Sequence, residues 1–216
     1  QLFGTTPDEI VAEEHGVKYP INVKEGQKTG FFIDQRENRA LIRDCAAGRK
    51  VLNVFSYTGG FTFAALKGGA TSAVSVDISR DALEQAEKIC AHNGFTAPSE
   101  LIEADAFEYL RNEPVDADLV IIDPPAFAKS SGDVERACRG YKDINLQMMK
   151  KCPKGTLLLT CSCSRFIDPD LFQKVIFSAA SDAKRDAQII RRTGHPADHP
   201  VNLNHPETEY LKGILL

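Results

Sequence analysis

VLNVFSYTGGFTFAALKGGATSAVSVD, residues 51–77, reads as a β-α-β unit. An apolar, β-branched run at 51–55 makes a strand, and Ser56, Thr58, Gly59 and Gly60 make a small polar turn. A helix-compatible segment follows, and residues 73–76 return as a second strand onto Asp77. Gly59 and Gly60 let backbone approach a ligand closely, the helix behind them offers unpaired N–H groups, and an acid ending the second strand can accept ribose hydroxyls. Asp77 follows Gly59 at close to the ~20-residue spacing at which an acid meets a ribose. The full GxGxxG fingerprint is absent, so an ordinary crossover whose glycines only turn the chain fits the same residues.

With 216 residues, 43% of them hydrophobic, the chain can bury one good core, and a single domain with a small appendage is expected. A formal net charge of -4 provides no global attraction for nucleic acid, so any such binding needs a local basic face or another module. The six cysteines (Cys45, Cys90, Cys138, Cys152, Cys161, Cys163) lack CxxC pairs, which favours reduced thiols in a cytoplasmic protein. No apolar run approaches the ~20 residues of a membrane span. The chain starts at Gln1 without a Met, which suggests a fragment with a domain missing before it.

Working outward, residues 17–23 form a short β-like run, and residues 26–39, GQKTGFFIDQRENR, suggest a loop, a strand at 31–33, and Asp34 capping a helix over 35–47. On the other side, Ser79 caps a helix over 80–93, whose spacing places Cys90 in the core, and Gly94 stops it. A strand at 100–102 leads to Asp105, which can cap the next helix, face a ligand, or do both.

Residues 118–122, DLVII, have the composition of a strand buried in a parallel sheet. Pro124 and Pro125 force an extended exit, leaving Asp123 on a rigid lip at the carboxyl edge, where open α/β sheets bind ligands. Residues 128–141 read as a polar loop whose Lys129, Arg136 and Arg139, with Lys142, form the best basic patch of the chain; phosphate contact and plain solvation fit equally. A helix at 143–151 and a strand at 155–160 follow. That strand delivers Cys161 and Cys163, alternating with Ser162 and Ser164, to the same edge as Asp123. Strand alternation is expected to set the two thiols on opposite sides, one in the core and one at the site. Asp168 starts a helix over 169–183, and strands at 188–191 and 209–216 close the chain. His195, His199 and His205 match no metal-ligand spacing.

The order of elements resembles the class I S-adenosylmethionine (SAM) methyltransferases. The implied fold is an α/β, seven-stranded, doubly wound Rossmann-like sheet with a C-terminal antiparallel hairpin and a small N-terminal β segment. The usual strand-one turn of that class has three glycines; here Phe55 and Tyr57 occupy two of the places and Gly59 the third. Together, GQKTGFFIDQRENR, VLNVFSYTGGF, SVDIS, DPPAF, RGYKDIN, SCS, ADHPV and YLKG resemble the bacterial 23S ribosomal RNA (cytosine-5) methyltransferase I family.

That resemblance implies a segment at 1–25, either β structure or a linker from a missing domain, and a catalytic domain at 26–216. It implies cofactor contacts from Phe55, Ser56, Tyr57 and Gly59, ribose contacts from Asp77 beside Ile78, and adenine contacts from Asp105 and Ala106. Gln27, Lys28, Thr29 and Gly30 would cover the cofactor. Cys163 is the implied nucleophile. Asp123 would hold the base and also meet the cofactor. Pro124, Phe127 and Lys129 are expected on the substrate side, together with Arg139, Tyr141 and Lys142. Many relatives carry a lysine after the double proline, where this chain has Ala126, so that contact is lost or moves to Lys129. The implied partner is ribosomal RNA, gripped with help from an N-terminal PUA domain absent here, and a homodimer is allowed. Another methyl acceptor, or a silent RNA-binding module, remain alternatives.

Overall fold

The computed structural model describes residues 4, 5, 7, 9–24 and 30–216. Gln27, Lys28 and Thr29 lie outside these. An antiparallel hairpin, β1 (Ile10–Glu14) and β2 (Val17–Ile21), precedes a 3-10 turn at Ile33–Gln35 and α1 (Arg36–Cys45). The central unit is β3 (Lys50–Val54), α2 (Gly60–Lys67) and β4 (Ser72–Asp77). It is followed by α3 (Arg80–Asn93), β5 (Ser99–Glu103), α4 (Ala106–Asn112), β6 (Leu119–Ile122) and α5 (Val134–Lys151). Then come β7 (Leu157–Ser162), α6 (Pro169–Asp182), β8 (Arg191–Thr193) and β9 (Lys212–Leu215).

Seven strands form one sheet in the order β5-β4-β3-β6-β7-β9-β8. The first five in that order are parallel; β9 runs antiparallel to β7, and β8 antiparallel to β9. This is the doubly wound sheet with a C-terminal hairpin expected from the sequence. The inner strands β3, β6, β7 and β9 are buried on both faces because helices cover both. In β6, Leu119 and Ile121 join the core on the α1–α3 side, while Val120 and Ile122 join the core on the α4–α6 side. The central unit also holds a buried polar seam. Asn53 Nδ2 donates to Thr62 Oγ1 at 3.0 Å, and Thr62 Oγ1 meets Ser75 Oγ at 2.6 Å, tying β3, α2 and β4 together.

The hairpin belongs to the same packing unit. Val17, Tyr19 and Ile21 enter the core beside α2 and α3, and the Lys18 N–H donates to Asn93 Oδ1 at 2.8 Å. A domain boundary at 25/26 therefore does not divide the packing.

Local structure departs from the sequence reading at several points. Residues 31–33 are not a strand, and Asp34 makes no capping bond. Its carboxylate instead accepts the Tyr210 hydroxyl at 2.7 Å. Helix α1 buries Asn38 and Arg39 along with Ile42, and the Arg39 guanidinium donates to both Glu14 oxygens at 2.6 and 2.7 Å and to Phe32 O at 2.8 Å. Removing either partner of such a buried pair costs about 3–5 kcal/mol. Helix α5 begins at Val134, absorbing much of the expected polar loop, since Ala137, Tyr141 and Ile144 already follow a helical stripe. Finally, β8 starts at Arg191 and β9 at Lys212, each later than expected, and Cys90 is only half-buried.

Candidate active site

Parallel strands bring their carboxyl ends to one edge, and the strand order reverses between β4-β3 and β6-β7, which opens a crevice there. A cavity of about 370 Å³ occupies it, within the ~300–1,000 Å³ of small-molecule sites. Ser56 and Tyr57 reach it from the turn after β3, Asp77 from β4, Asp105 from beyond β5, Asp123 from beyond β6 and Cys163 from beyond β7.

The turn after β3 keeps a glycine-like path without the glycines. Phe55 and Tyr57 have φ of 60° and 49°, and Gly59 has 79°. Bulky residues at positive φ cost about 1–3 kcal/mol each and persist only where surroundings over-determine them. The Phe55 ring is held edge-on by Phe107 and Phe127, with centroids 6.2 and 6.3 Å away, and Tyr57 packs against Phe32 at 5.3 Å. Asp77 completes the clamp, with Oδ2 accepting the Tyr57 N–H at 2.7 Å and Oδ1 the Ser79 N–H at 2.9 Å. The acid therefore pins the turn as well as facing the cavity. Gly59 sits behind the wall as the N-cap of α2, where a Cβ would lie 2.7 Å from the Phe63 ring.

Asp105 does both of the things its position allowed. One oxygen accepts the Phe107 and Glu108 N–H groups at 2.9 and 3.0 Å, capping α4, and the residue lines the cavity beside Ala106. Ile78, 70% exposed, forms an apolar rim next to Asp77.

At the other end, Asp123, Pro124, Pro125 and Cys163 share the wall. Gln35 Nε2 donates to Asp123 Oδ1 at 2.9 Å, and Gln35 Oε1 accepts from Asn38 Nδ2 at 2.5 Å. The Cys163 thiol points at Pro124 O, 3.8 Å away. A hydroxyl network braces the cysteine loop against the proline lip: Ser162 Oγ donates to Tyr141 OH at 2.9 Å, Tyr141 OH meets Ser164 Oγ at 2.9 Å, and Ser164 Oγ accepts the Ala128 N–H at 3.2 Å. Cys161 is fully buried on the α1–α3 face, and burial pushes its thiol far up. One thiol is core and one faces the cavity, but not through alternation, since residues two apart share a face of a strand. They separate because β7 stops at Ser162, so Cys163 leaves the strand register.

Five expected substrate residues are not brought to this cavity. Tyr141 is fully buried, its ring 4.6 Å from Phe127 and 5.5 Å from Phe172, and the half-buried Phe127 packs in that aromatic cluster without lining the cavity. Arg139 pairs with Glu135 along α5. Lys142 pairs with Asp182 at the C-terminal end of α6, about 20 Å along the helix from its start near Cys163. Lys129 is exposed in the following loop and does not line the cavity. Gly30 likewise stays behind the wall, against Ile21 and Asn22. Missed from sequence were Asp34, Gln35, Phe32 and Leu211 of the cavity wall, and Lys212 behind the Cys163 loop. None carries a local signal, because each meets the site only through the tertiary fold. His195 Nε2 accepts the Leu211 N–H at 3.2 Å, a structural use of that ring.

The cavity suits a cationic nucleoside ligand. Ser56 Oγ and Asp34 Oδ1 are buried without hydrogen-bond partners on residues that line it, as walls are when a polar ligand is to complete them. Its described lining holds four aspartates (Asp34, Asp77, Asp105, Asp123) and one arginine, Arg39, already committed to Glu14. That excess of negative charge matches the sulfonium and ammonium of SAM, and the residues present fit that cofactor. Fold and site together define the class: a Rossmann-like SAM-binding methyltransferase domain. A profile of the S-adenosylmethionine-dependent methyltransferase family matches residues 4–205, and the chain belongs to that family.

The "Ribosomal RNA large subunit methyltransferase I" of Pseudoalteromonas atlantica is 47% identical over 218 residues, covering 99% of this chain and 55% of that protein. A SAM-dependent methyltransferase structure from Streptococcus mutans superposes with a TM-score of 0.87 at 28% identity, covering 99% of this chain and 57% of that one. A methyltransferase solved as a complex with SAH gives 0.88 at 28% identity, with the same coverage. The chain spans about half the length of the curated relatives it matches. Among the described residues no helix is long and apolar enough to cross a membrane.

Proposed function

We propose that this chain is the catalytic unit of a cytoplasmic enzyme that methylates carbon 5 of a cytosine in large-subunit ribosomal RNA, with Cys163 as a covalent nucleophile. The observation that carries this reading is the sharing of one cavity by Cys163, Asp123 and Pro124 with the cofactor-side acids Asp77 and Asp105. The relatives named for large-subunit ribosomal RNA methylation support the acceptor class.

Carbon 5 of cytosine is a poor nucleophile. Addition of the Cys163 thiolate to carbon 6 moves the ring electrons so that carbon 5 becomes enamine-like. SAM, when bound, supplies an electrophilic methyl whose sulfonium sulfur retains the bonding pair. Asp123, steadied by Gln35, accepts an N–H of the exocyclic amine through one oxygen and, protonated on the other, gives its proton to N3 as negative charge develops there. Loss of the carbon 5 proton to a base then expels the Cys163 thiolate. Both faces of the base must be reached, so the nucleotide enters unstacked. RNA anchoring is assigned to a further PUA domain, as the family resemblance implies, since the basic residues of α5 do not line the cavity.

The test is a trap. RNA carrying 5-fluorocytosine at the target, incubated with SAM, forms a denaturation-resistant complex with the wild-type protein and none with Cys163→Ala, while titration shows SAM binding retained in both. Full methylation by Cys163→Ala would sink the covalent reading, and a product methylated elsewhere than carbon 5 would sink the acceptor assignment.

A further inference from the structure

Lys212 is a buried cation placed where the reaction needs one. Because β9 runs antiparallel to β7 and pairs Lys212 with Ser162, the first residue of β9 rather than its last stands at the carboxyl edge, next to the strand end that carries Cys163. The residue is 7% exposed. Nζ donates to Ser164 O at 2.7 Å and to Ile167 O, the two carbonyls that bracket the turn following Cys163. Ser164 O also accepts the Ile167 N–H at 3.1 Å, so the lysine completes a closed loop. Among the described residues no carboxylate forms an ion pair with Lys212. Cys163, Asp168 and Glu209 lie within longer electrostatic reach of it.

An ammonium on two carbonyls in a near-dry site is costly, and an apolar residue of similar length is often as stable or more so. A stability argument alone therefore does not account for it. A thiolate at Cys163 gains from a nearby cation. Asp123 beyond β6 and Asp34 in the 3-10 turn line the same cavity as Cys163, and their negative charge reaches Cys161. Tyr141 of α5 and Tyr210 before β9 lie within electrostatic reach of Cys163, and Cys161 is buried beneath it. Negative charge beside a thiol disfavours its thiolate, and a cation beside it favours the thiolate.

We propose that Lys212 is a positioning residue for Cys163: its ammonium clamps the 163–167 loop against β9 and supplies the positive potential that keeps the sulfur a thiolate. This rests on the reading of Cys163 as nucleophile, but its test needs neither RNA nor turnover. The rate of Cys163 alkylation by iodoacetamide is followed against pH by peptide mass mapping, in the wild-type protein, Lys212→Met and Lys212→Arg. The wild type is expected to show an inflection below the ~8.5 of a free thiol. Lys212→Met is expected to raise it by at least one pH unit, slowing alkylation about tenfold at pH 7, with SAM affinity unchanged. Lys212→Arg restores the low inflection.

An unaltered profile in Lys212→Met overturns the proposal. Should that variant fail to fold, a free-thiol inflection in folded Lys212→Arg overturns it equally. RNA methylation surviving in Cys163→Ala would instead retire the nucleophile, and leaves a Lys212-dependent alkylation profile standing as a property of the thiol.

Discussion

Gln35 donates a 2.9 Å hydrogen bond to Asp123 across 88 residues of chain. The turn before α1 thus sets the orientation of the acid at the end of β6. A hydrogen bond to a charged group contributes about 1.5–3 kcal/mol, which corresponds to about 10–100-fold in rate when the acid must be aligned. Gln35→Ala is expected to lower single-turnover methylation by that factor while SAM affinity changes less than threefold. Equal losses in rate and in SAM binding, measured by rapid quench and titration calorimetry, would show that the cavity had collapsed instead.

The two thiols of the β7 end should behave oppositely. Cys161 is sealed in the core and its thiol is pushed far up by burial; Cys163 lines the cavity. Cys161→Ala is expected to keep methylation within about threefold and to cost about 1 kcal/mol of stability. Cys163→Ala is expected to remove methylation. Activity assays paired with urea unfolding check both, and activity lost in Cys161→Ala with intact folding would reverse the assignment.

Strain and packing compete at the turn after β3. Glycine at position 55 or 57 relieves about 1–3 kcal/mol of backbone strain, whereas losing a packed aromatic ring costs about 3–5 kcal/mol when fully buried. Among the described residues Phe55 touches two aromatic rings and Tyr57 one, and both are half-buried. Phe55→Gly is therefore expected to destabilise by about 1–2 kcal/mol and Tyr57→Gly to be near neutral. Urea midpoints measure the difference. A strong loss in Tyr57→Gly would place the ring in a tighter contact than the one with Phe32.

Lys212 makes stability depend on pH in a direction opposite to an ordinary ion pair. Burial holds its ammonium down to about 8, against 10.5 for an unperturbed lysine. Between those values the unfolded chain binds more protons, so this residue's contribution to stability rises with pH. The gap corresponds to about 3 kcal/mol, withheld below pH 8 and recovered by pH 10.5. The stability of wild type minus that of Lys212→Met is expected to stay level up to pH 8 and then to climb. Using the difference removes the contribution of the tyrosines, which burial pushes up in the folded protein and which titrate at about 10 in the unfolded chain. A level difference from pH 7 to 10.5 would contradict the burial argument.

The apolar run in DLVII, the caps at Ser79 and Asp168, and the turn between β3 and α2 were legible because each is encoded in a few neighbouring residues. From these, the strand count, the sheet type and the positions of Asp77, Asp105, Asp123 and Cys163 at strand ends follow. The basic residues around α5 misled for the same reason. Lys142 and Arg139 look like a patch in a linear chain, but helical geometry distributes them to Asp182 and Glu135.

By itself, then, the sequence determined the parallel core and the residues that must arrive at its carboxyl edge. Which of those residues act on one another was decided by the tertiary structure alone. Gln35 meets Asp123 because α1 packs beside the switch point, and Cys163 parts from Cys161 because β7 stops one residue short of it. Lys212 reaches the cysteine loop because β9 enters the sheet in reverse, which turns the start of a strand into part of an active edge. Such contacts depend on strand order and direction, and no window of local sequence carries that information.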